Sequence, residues 1–236
     1  MRCALTLSYN GTSFLGSQIQ TETKNTIFGN LEKVLHKLGI DSKIVASGRT
    51  DKGVHATGQV CHFNLPSFWN DLQRLRKVLN EMLPPSIHVK NIFQVSDDFH
   101  ARYSAKKRVY RYIIKSGESN PFLDEFITFH KDVDFQKIQN NIKIFIGEHD
   151  FTNFMKTGSD TKSPIRIIYR AFAYQHKGFI ILNFEANGFL RSQIRLMVGA
   201  LLDFNAIQIK EQLSLEKRHK LKPAKSNGLY LAKIKY

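Results

Sequence analysis

The sequence predicts an α+β fold made of two α/β halves, which we place at residues 1–104 and 105–236. Strand-like alternation and helix-like spacing of apolar residues follow one another in both halves, without sequence repetition between them. A chain of 236 residues is long enough to bury a core in one or two domains. No Pro-, Gly- or Ser-rich linker interrupts it, so we expect the halves to share one continuous sheet.

The first half is predicted to contain four strands and two helices. Alternation at residues 5, 7 and 9 predicts the opening strand, and residues 43–45, 59–63 and 87–95 predict the others. Asn25 can cap a helix with apolar residues at 27, 31, 34 and 38, and Gly39 suits the position after its end. Asn70 with Gln73 resembles a capping pair for a second helix, which stops before Pro84-Pro85.

The second half is predicted to begin with a β-branched and aromatic strand from Val109 to Ile114. Asp134 can cap a helix closed by Gly147. Residues 165–175 and 179–186 flank His176-Lys177-Gly178 and predict a hairpin. A helix from about residue 188 to 204 and a closing strand at 229–234 complete the pattern.

The charge balance points to a polyanionic partner. The chain has 35 Lys and Arg against 20 Asp and Glu, a net charge of +15. The basic residues come in short groups, and tyrosines 103, 110 and 112 lie beside one of them, a mixture typical of RNA-binding proteins. A membrane surface fits less well, because no dense basic block lies beside an apolar face. A basic protein without a nucleic-acid partner remains the plain alternative.

The cysteines and the first residues predict a cytoplasmic chain. Cys3 and Cys61 fall in predicted strands, without the spacing of metal ligands, so we expect reduced thiols and no metal site. The start of the chain alternates like a strand and does not resemble a signal peptide. No apolar run reaches the length of a membrane span, and we expect no membrane association.

The loop from Ala46 to Ala56 is the segment richest in candidate chemistry. It places Arg49, Asp51, Lys52 and His55 between two strand-like segments, and glycines at 48, 53 and 58 permit close approach of its backbone to a ligand. The composition alone fits either a solvated surface loop or a loop that holds a reactive side chain.

The run Gly48-Arg49-Thr50-Asp51-Lys52-Gly53-Val54-His55 resembles the signature of the TruA family, the tRNA pseudouridine synthases A. Further blocks similar to the family are Tyr9-Asn10-Gly11-Thr12, residues 97–105, Tyr110-Arg111-Tyr112, residues 147–154, Asn187-Gly188-Phe189 with Arg195, and residues 228–231. Asn10 stands where the family usually has Asp, and Ser17 where Trp is common. These departures concern RNA contacts rather than the reaction.

The resemblance implies the pseudouridine synthase fold, a mostly antiparallel sheet with helices on one side and the active-site cleft on the other. It also implies isomerisation of uridine to pseudouridine at tRNA positions 38, 39 and 40 in the anticodon stem-loop, by a homodimer. The N1–C1′ bond breaks and the uracil rejoins through C5, so nothing is oxidised and no cofactor is needed.

The same resemblance implies a role for four residues. Asp51 is the catalytic carboxylate, acting either as a nucleophile at C1′ or as a base at C2′. Arg195 pairs with that carboxylate, Tyr110 stacks on the target uracil, and Arg49 fills the space left by the extruded base. Locally, Arg195 fits a surface arginine and Tyr110 a packing residue equally well.

Two other functions stay open at this point. A non-catalytic RNA-binding protein would also need the positive charge and the tyrosines, although an acid such as Asp51 is unfavourable in an RNA groove. A pseudouridine synthase with a different RNA target would share the same signature.

Overall fold

The chain divides into two compact units in a computed structural model that describes residues 1–23, 25–156, 158, 161 and 163–236. Unit 1 comprises residues 1–106 and 230–236, and unit 2 comprises residues 107–229. Both units combine strands with helices, which confirms the predicted α+β class. None of the helices in the described residues is long and apolar enough to span a membrane.

The described residues form ten strands and five α-helices. In chain order they are β1 (Arg2–Tyr9), α1 (Ile27–Lys37), β2 (Val45–Ala46), β3 (His55–Asn64), α2 (Leu72–Met82), β4 (Ile87–Gln94), β5 (Lys107–Ser116), β6 (Thr128–His130), α3 (Phe135–Asn141), β7 (Gly147–Asp150), β8 (Ile165–His176), β9 (Phe179–Ala186), α4 (Gln193–Asp203), α5 (Ala206–Leu213) and β10 (Leu229–Lys235).

Unit 1 is built on the strand order β4-β1-β3-β10, with the short β2 paired to β3. Neighbouring strands are antiparallel except β3 and β10, which run parallel with Tyr230 opposite His55. Its core is formed by fully buried residues from β1, β3 and α1, among them Leu5, Leu7, Phe63, Leu31 and Leu35.

The helix caps of unit 1 differ by one residue from the prediction. Thr26, not Asn25, caps α1 by accepting the amide hydrogen of Gly29 at 3.0 Å, because the Asn25 side chain donates to the Ser13 carbonyl instead. Asp71, not Asn70, caps α2, and its carboxylate accepts the amide hydrogens of both Gln73 and Arg74. An anion at this end also interacts favourably with the helix dipole.

Unit 2 has the strand order β5-β9-β8-β7, with β6 parallel to β5. The predicted hairpin between β8 and β9 is confirmed, and both turn residues, Lys177 and Gly178, have positive φ as a tight two-residue turn requires. The predicted Asp134 cap of α3 is also confirmed. The short strands β6 and β7 were not predicted.

The helical region after β9 differs most from the sequence-based expectation. The helix expected from residue 188 begins only at Gln193, because Ser192 takes a φ of 59° and the Gln193 side chain accepts the Leu190 amide hydrogen at 2.7 Å. The helix α5 was not predicted, although Asn205 and Gln208 form a reciprocal capping box at its start.

His62 in β3 makes the stability of unit 1 depend on pH. Its Nδ1 accepts the amide hydrogen of Ala101 at 3.1 Å, so the ring must be neutral there. Burial, followed by nearby Arg2 and His100, lowers the pKa of His62 from 6.5 to about 4. Between these two pKa values the imidazole is protonated in the unfolded chain but neutral in the folded chain. The free energy of unfolding therefore decreases as pH falls from about 6.5 toward about 4.

We expect His62→Asn to flatten that part of the pH dependence, because the Asn oxygen can still accept from Ala101 but does not titrate. Urea unfolding between pH 7 and pH 4 measures the effect. His88→Asn, at an exposed position of β4, should retain the wild-type slope. A His62→Asn slope equal to wild type would show that His62 does not carry the linkage.

Candidate active site

The candidate loop runs from Ser47 to Val54, between β2 and β3. Gln59 in β3 holds its first two residues and is itself fully buried. The Gln59 oxygen accepts from the Ser47 hydroxyl at 2.6 Å, and its amide donates to the Gly48 carbonyl at 2.9 Å. The Ser47 amide also donates to the Val60 carbonyl of β3 at 2.8 Å, so the start of the loop is fixed to the sheet by both side-chain and backbone hydrogen bonds.

A buried polar cluster holds the middle of the loop at Thr50. The Ser17 hydroxyl accepts the Thr50 amide hydrogen at 2.8 Å, and the Ser17 amide donates to the Thr50 carbonyl at 3.1 Å. The Thr50 hydroxyl is 2.8 Å from the Tyr9 hydroxyl at the end of β1. We call Tyr9, Ser17, Thr50 and Gln59 the Tyr9 cluster, and its members are all buried. Burial raises the pKa of Tyr9 to about 12, so its hydroxyl keeps its proton at neutral pH.

The far end of the loop is fixed by a turn and by His55. The Val54 amide donates to the Asp51 carbonyl at 3.1 Å, and Gly53 takes the positive φ that this turn needs, 76°. His55 is buried, accepts the Gly11 amide hydrogen at 3.1 Å, and stacks on Tyr230 with ring centroids 4.7 Å apart. A Cβ at Gly11 would overlap the Val54 carbonyl oxygen, so this approach requires glycine.

Asp51 thus lies between two fixed points of the backbone. Thr50 before it is buried, while Asp51 is half-buried and Arg49 and Lys52 are exposed. A carboxylate on a loop held at both ends can reach a reacting atom with little further loss of conformational entropy. The arrangement suits a reactive acid better than a solvated surface loop.

Tyr110 lies on β5 in unit 2, half-buried, opposite Phe184 of β9. Its ring meets that of Phe189 edge to face, with centroids 5.3 Å apart and planes at 83°. Edge-to-face packing fixes the plane of an aromatic ring. A ring held in this way can offer a flat surface to a planar ligand.

Arg195 lies in the first turn of α4, where the helix dipole disfavours a cation by about 0.3–1 kcal/mol. Its Nε donates to the Ala224 carbonyl at 2.7 Å, and the Ala224 amide donates back to the Arg195 carbonyl at 2.8 Å. This reciprocal pair fixes the orientation of the guanidinium plane. The guanidinium is therefore oriented by a contact outside its own helix.

The four predicted site residues fall two to a unit: Arg49 and Asp51 share the loop of unit 1, and Tyr110 and Arg195 belong to unit 2. Sequence reasoning missed Tyr9 and Gln59 as residues that position the loop, and treated Ser17 only as a departure. Gln59 leaves little signal in the sequence, since β3 also contains the polar residues His55, Thr57, His62 and Asn64. Among the described residues, no group of three or more His, Cys, Asp or Glu side chains could hold a metal ion.

A family model and several curated relatives are similar to this chain. A family model described as tRNA pseudouridine synthase matches residues 6–104 and 142–236. Three curated relatives are each named tRNA pseudouridine synthase A. The protein from Campylobacter jejuni is 39% identical over 241 residues, covering 100% of both chains. That from Wolinella succinogenes is 38% identical over 235 residues, covering 98% of this chain and 92% of its own. That from Anoxybacillus flavithermus is 38% identical over 245 residues, covering 100% and 98%.

Substitution of Ser17 tests whether the Tyr9 cluster holds the loop. We expect Ser17→Ala to lower the free energy of unfolding by about 1–3 kcal/mol, because the buried Thr50 amide loses its acceptor. Hydrogen exchange at the Thr50 amide should accelerate beyond what the loss of global stability explains. Ser13 is exposed and lies, like Ser17, between β1 and α1. We expect Ser13→Ala to change the free energy of unfolding by less than about 0.5 kcal/mol. Equal effects of the two variants would contradict the anchoring role of Ser17.

Proposed function

The chain belongs to the tRNA pseudouridine synthase A family, and we propose that it converts uridines 38, 39 and 40 of the anticodon stem-loop to pseudouridine with Asp51 as the catalytic carboxylate. As a member of this family it is an isomerase that acts on uridine in tRNA. The observation that carries the finer proposal is Asp51 itself, half-buried within the family signature on a loop held at both ends.

The reaction requires one charged group close to the ribose, held in a fixed position relative to it. The N1–C1′ bond breaks, the uracil turns, a C5–C1′ bond forms, and the proton on C5 is lost while N1 gains one. Asp51 either attacks C1′ or removes a proton from C2′, and both routes need it ionised. The backbone bonds at Thr50 and Val54 support this role, because they fix the backbone on both sides of the Asp51 side chain.

Three other residues assist in this proposal. Arg195 supplies a cation that pairs with the Asp51 carboxylate, a use that fits its fixed guanidinium. Tyr110 offers its ring to the target uracil, which fits its packing on Phe189. Arg49, exposed two residues before Asp51, fills the space of the extruded base. In this division residues 1–104 carry the acid, and residues 105–236 complete the site.

The net charge of +15 supports tRNA as the substrate, since phosphate contacts provide most of the affinity in such complexes.

We place the enzyme in the cytoplasm, where tRNA is modified, and propose that it acts as a homodimer. Sedimentation equilibrium of the purified chain measures the oligomeric state, and a monomer at the concentrations where the enzyme is active would exclude the dimer.

Asp51→Asn should abolish pseudouridine formation and leave tRNA affinity within about tenfold of wild type, because the change removes the reactive carboxylate and no phosphate contact. Release of tritium from C5-labelled uridine in tRNA measures turnover, and filter binding measures affinity. Asp98→Asn makes the same charge change at an exposed position and should keep wild-type turnover. Turnover of Asp51→Asn within tenfold of wild type would exclude the catalytic assignment.

Arg49→Ala should slow the reaction more on a paired target uridine than on an unpaired one, because extrusion from a paired stem costs a few kcal/mol. Single-turnover kinetics on two anticodon stem-loops, with the target paired or opposite an abasic site, separate the two cases. Lys52→Ala, an exposed cation in the same loop, should affect both substrates alike. If Arg49→Ala also affects both alike, Arg49 is only a phosphate contact.

A further inference from the structure

The backbone that orients Arg195 is held on its other side by a buried tyrosine of β5. The Ala224 carbonyl accepts from Arg195 Nε, and the next carbonyl, of Lys225, accepts from the Tyr112 hydroxyl at 2.7 Å. Tyr112 is fully buried, so its ring cannot contact a substrate. Two adjacent peptide groups therefore connect the side chain of Tyr112 to that of Arg195.

Tyr112 is in turn oriented by a short chain of polar groups. Its hydroxyl is 2.7 Å from the Thr128 hydroxyl of β6, which is 2.9 Å from the Asn227 side-chain oxygen. The Asn227 amide donates to the carbonyls of Asp124 and Ile127, which fixes the orientation of that side chain. Because a carbonyl only accepts, the Lys225 contact uses the phenol proton, and the single Thr128 hydroxyl proton is directed either to the phenol oxygen or to the Asn227 oxygen. Burial raises the pKa of Tyr112 to about 12, so this proton is present at neutral pH.

Two glycines allow the connecting segment to approach its neighbours this closely. A Cβ at Gly199 of α4 would overlap the Lys222 carbonyl oxygen. A Cβ at Gly228 would lie 2.7 Å from both the Ile113 carbonyl oxygen and the Thr128 hydroxyl. The backbone of residues 222–228 therefore packs closely against α4 at one end and against β5 and β6 at the other. A small shift at Lys225 would move the Ala224 carbonyl to which Arg195 is bound.

We propose that Tyr112 is a positioning residue, whose hydroxyl holds the 224–225 segment so that Arg195 presents its guanidinium in one orientation. The inference rests on the proposed catalytic role of Arg195. The alternative is that Tyr112 only stabilises the fold. Burying a hydroxyl costs free energy that a Phe would avoid. Here the phenol donates to the Lys225 carbonyl, next to the Ala224 carbonyl that accepts from Arg195.

Tyr112→Phe tests the proposal, because it keeps the ring and removes only the hydroxyl. We expect the single-turnover rate constant to fall about tenfold or more, since small misplacements of a catalytic group cost up to about a hundredfold. The tRNA dissociation constant should stay within about twofold of wild type. Thr128→Val, which removes the group that orients the phenol, should shift the rate in the same direction by less.

The matched control is Gln212→Met in α5. Gln212 is also fully buried, and it contacts the backbone of Asn153 and His219, outside the Tyr112 network. We expect a loss of stability from this change without a loss of rate constant at temperatures well below unfolding. A rate loss that follows melting temperature alone across the variants would overturn the proposal.

A double-mutant cycle separates positioning from general damage. Lysine has no Nε–H to bind the Ala224 carbonyl in the same plane, so Tyr112→Phe should cost less than about threefold in an Arg195→Lys background. Equal losses in both backgrounds would overturn the inference. If Arg195→Ala retains turnover, the proposed role of Arg195 fails and this inference with it. If Arg195→Ala is inactive and Tyr112→Phe is fully active, only this inference fails.

Discussion

The exchange of hydrogen bonds between Thr50 and Ser17 is the constraint on which the candidate catalytic loop depends. Val54 is the one large apolar residue that this loop buries, so apolar burial alone does little to fix the conformation of the loop. Ser17 fixes it with a hydroxyl and an amide directed at the two backbone groups of Thr50, while Tyr9 takes the Thr50 side chain. Each of these groups is buried, and leaving one unpaired would cost about 1–3 kcal/mol. The conformation of the residue before Asp51 is therefore strongly determined.

The two units hold their candidate site residues in the same way. In unit 1 the neighbours of Asp51 are bound through Thr50 and His55, and in unit 2 the Arg195 side chain is bound through Ala224. In each case hydrogen bonds that involve the backbone hold the charged residue or its neighbours. Such contacts are directional, whereas hydrophobic contacts are not.

Much of the fold follows from local sequence patterns, and little of the site geometry does. The strand β1 was predictable from its apolar alternation, and β9 from its apolar run after a hairpin turn, because both are local properties of the sequence. The caps of α1 and α2 were displaced by one residue, since two adjacent polar residues could each cap and tertiary contacts decided between them. Asp51 was identified from the family signature, but the Tyr9 cluster joins positions 9, 17, 50 and 59. No periodicity relates these positions, so only the folded chain reveals their contact.

Position-resolved mapping of pseudouridine in an unmodified tRNA transcript, after incubation with the purified chain, tests the account most directly. The family signature, the held carboxylate and the positive charge together predict new pseudouridine at one or more of positions 38, 39 and 40. Mapping reports the position of every product, so it also separates this activity from that of a synthase with another target. Pseudouridine confined to positions outside the anticodon stem-loop, or none formed by folded protein that binds the transcript, would contradict the account.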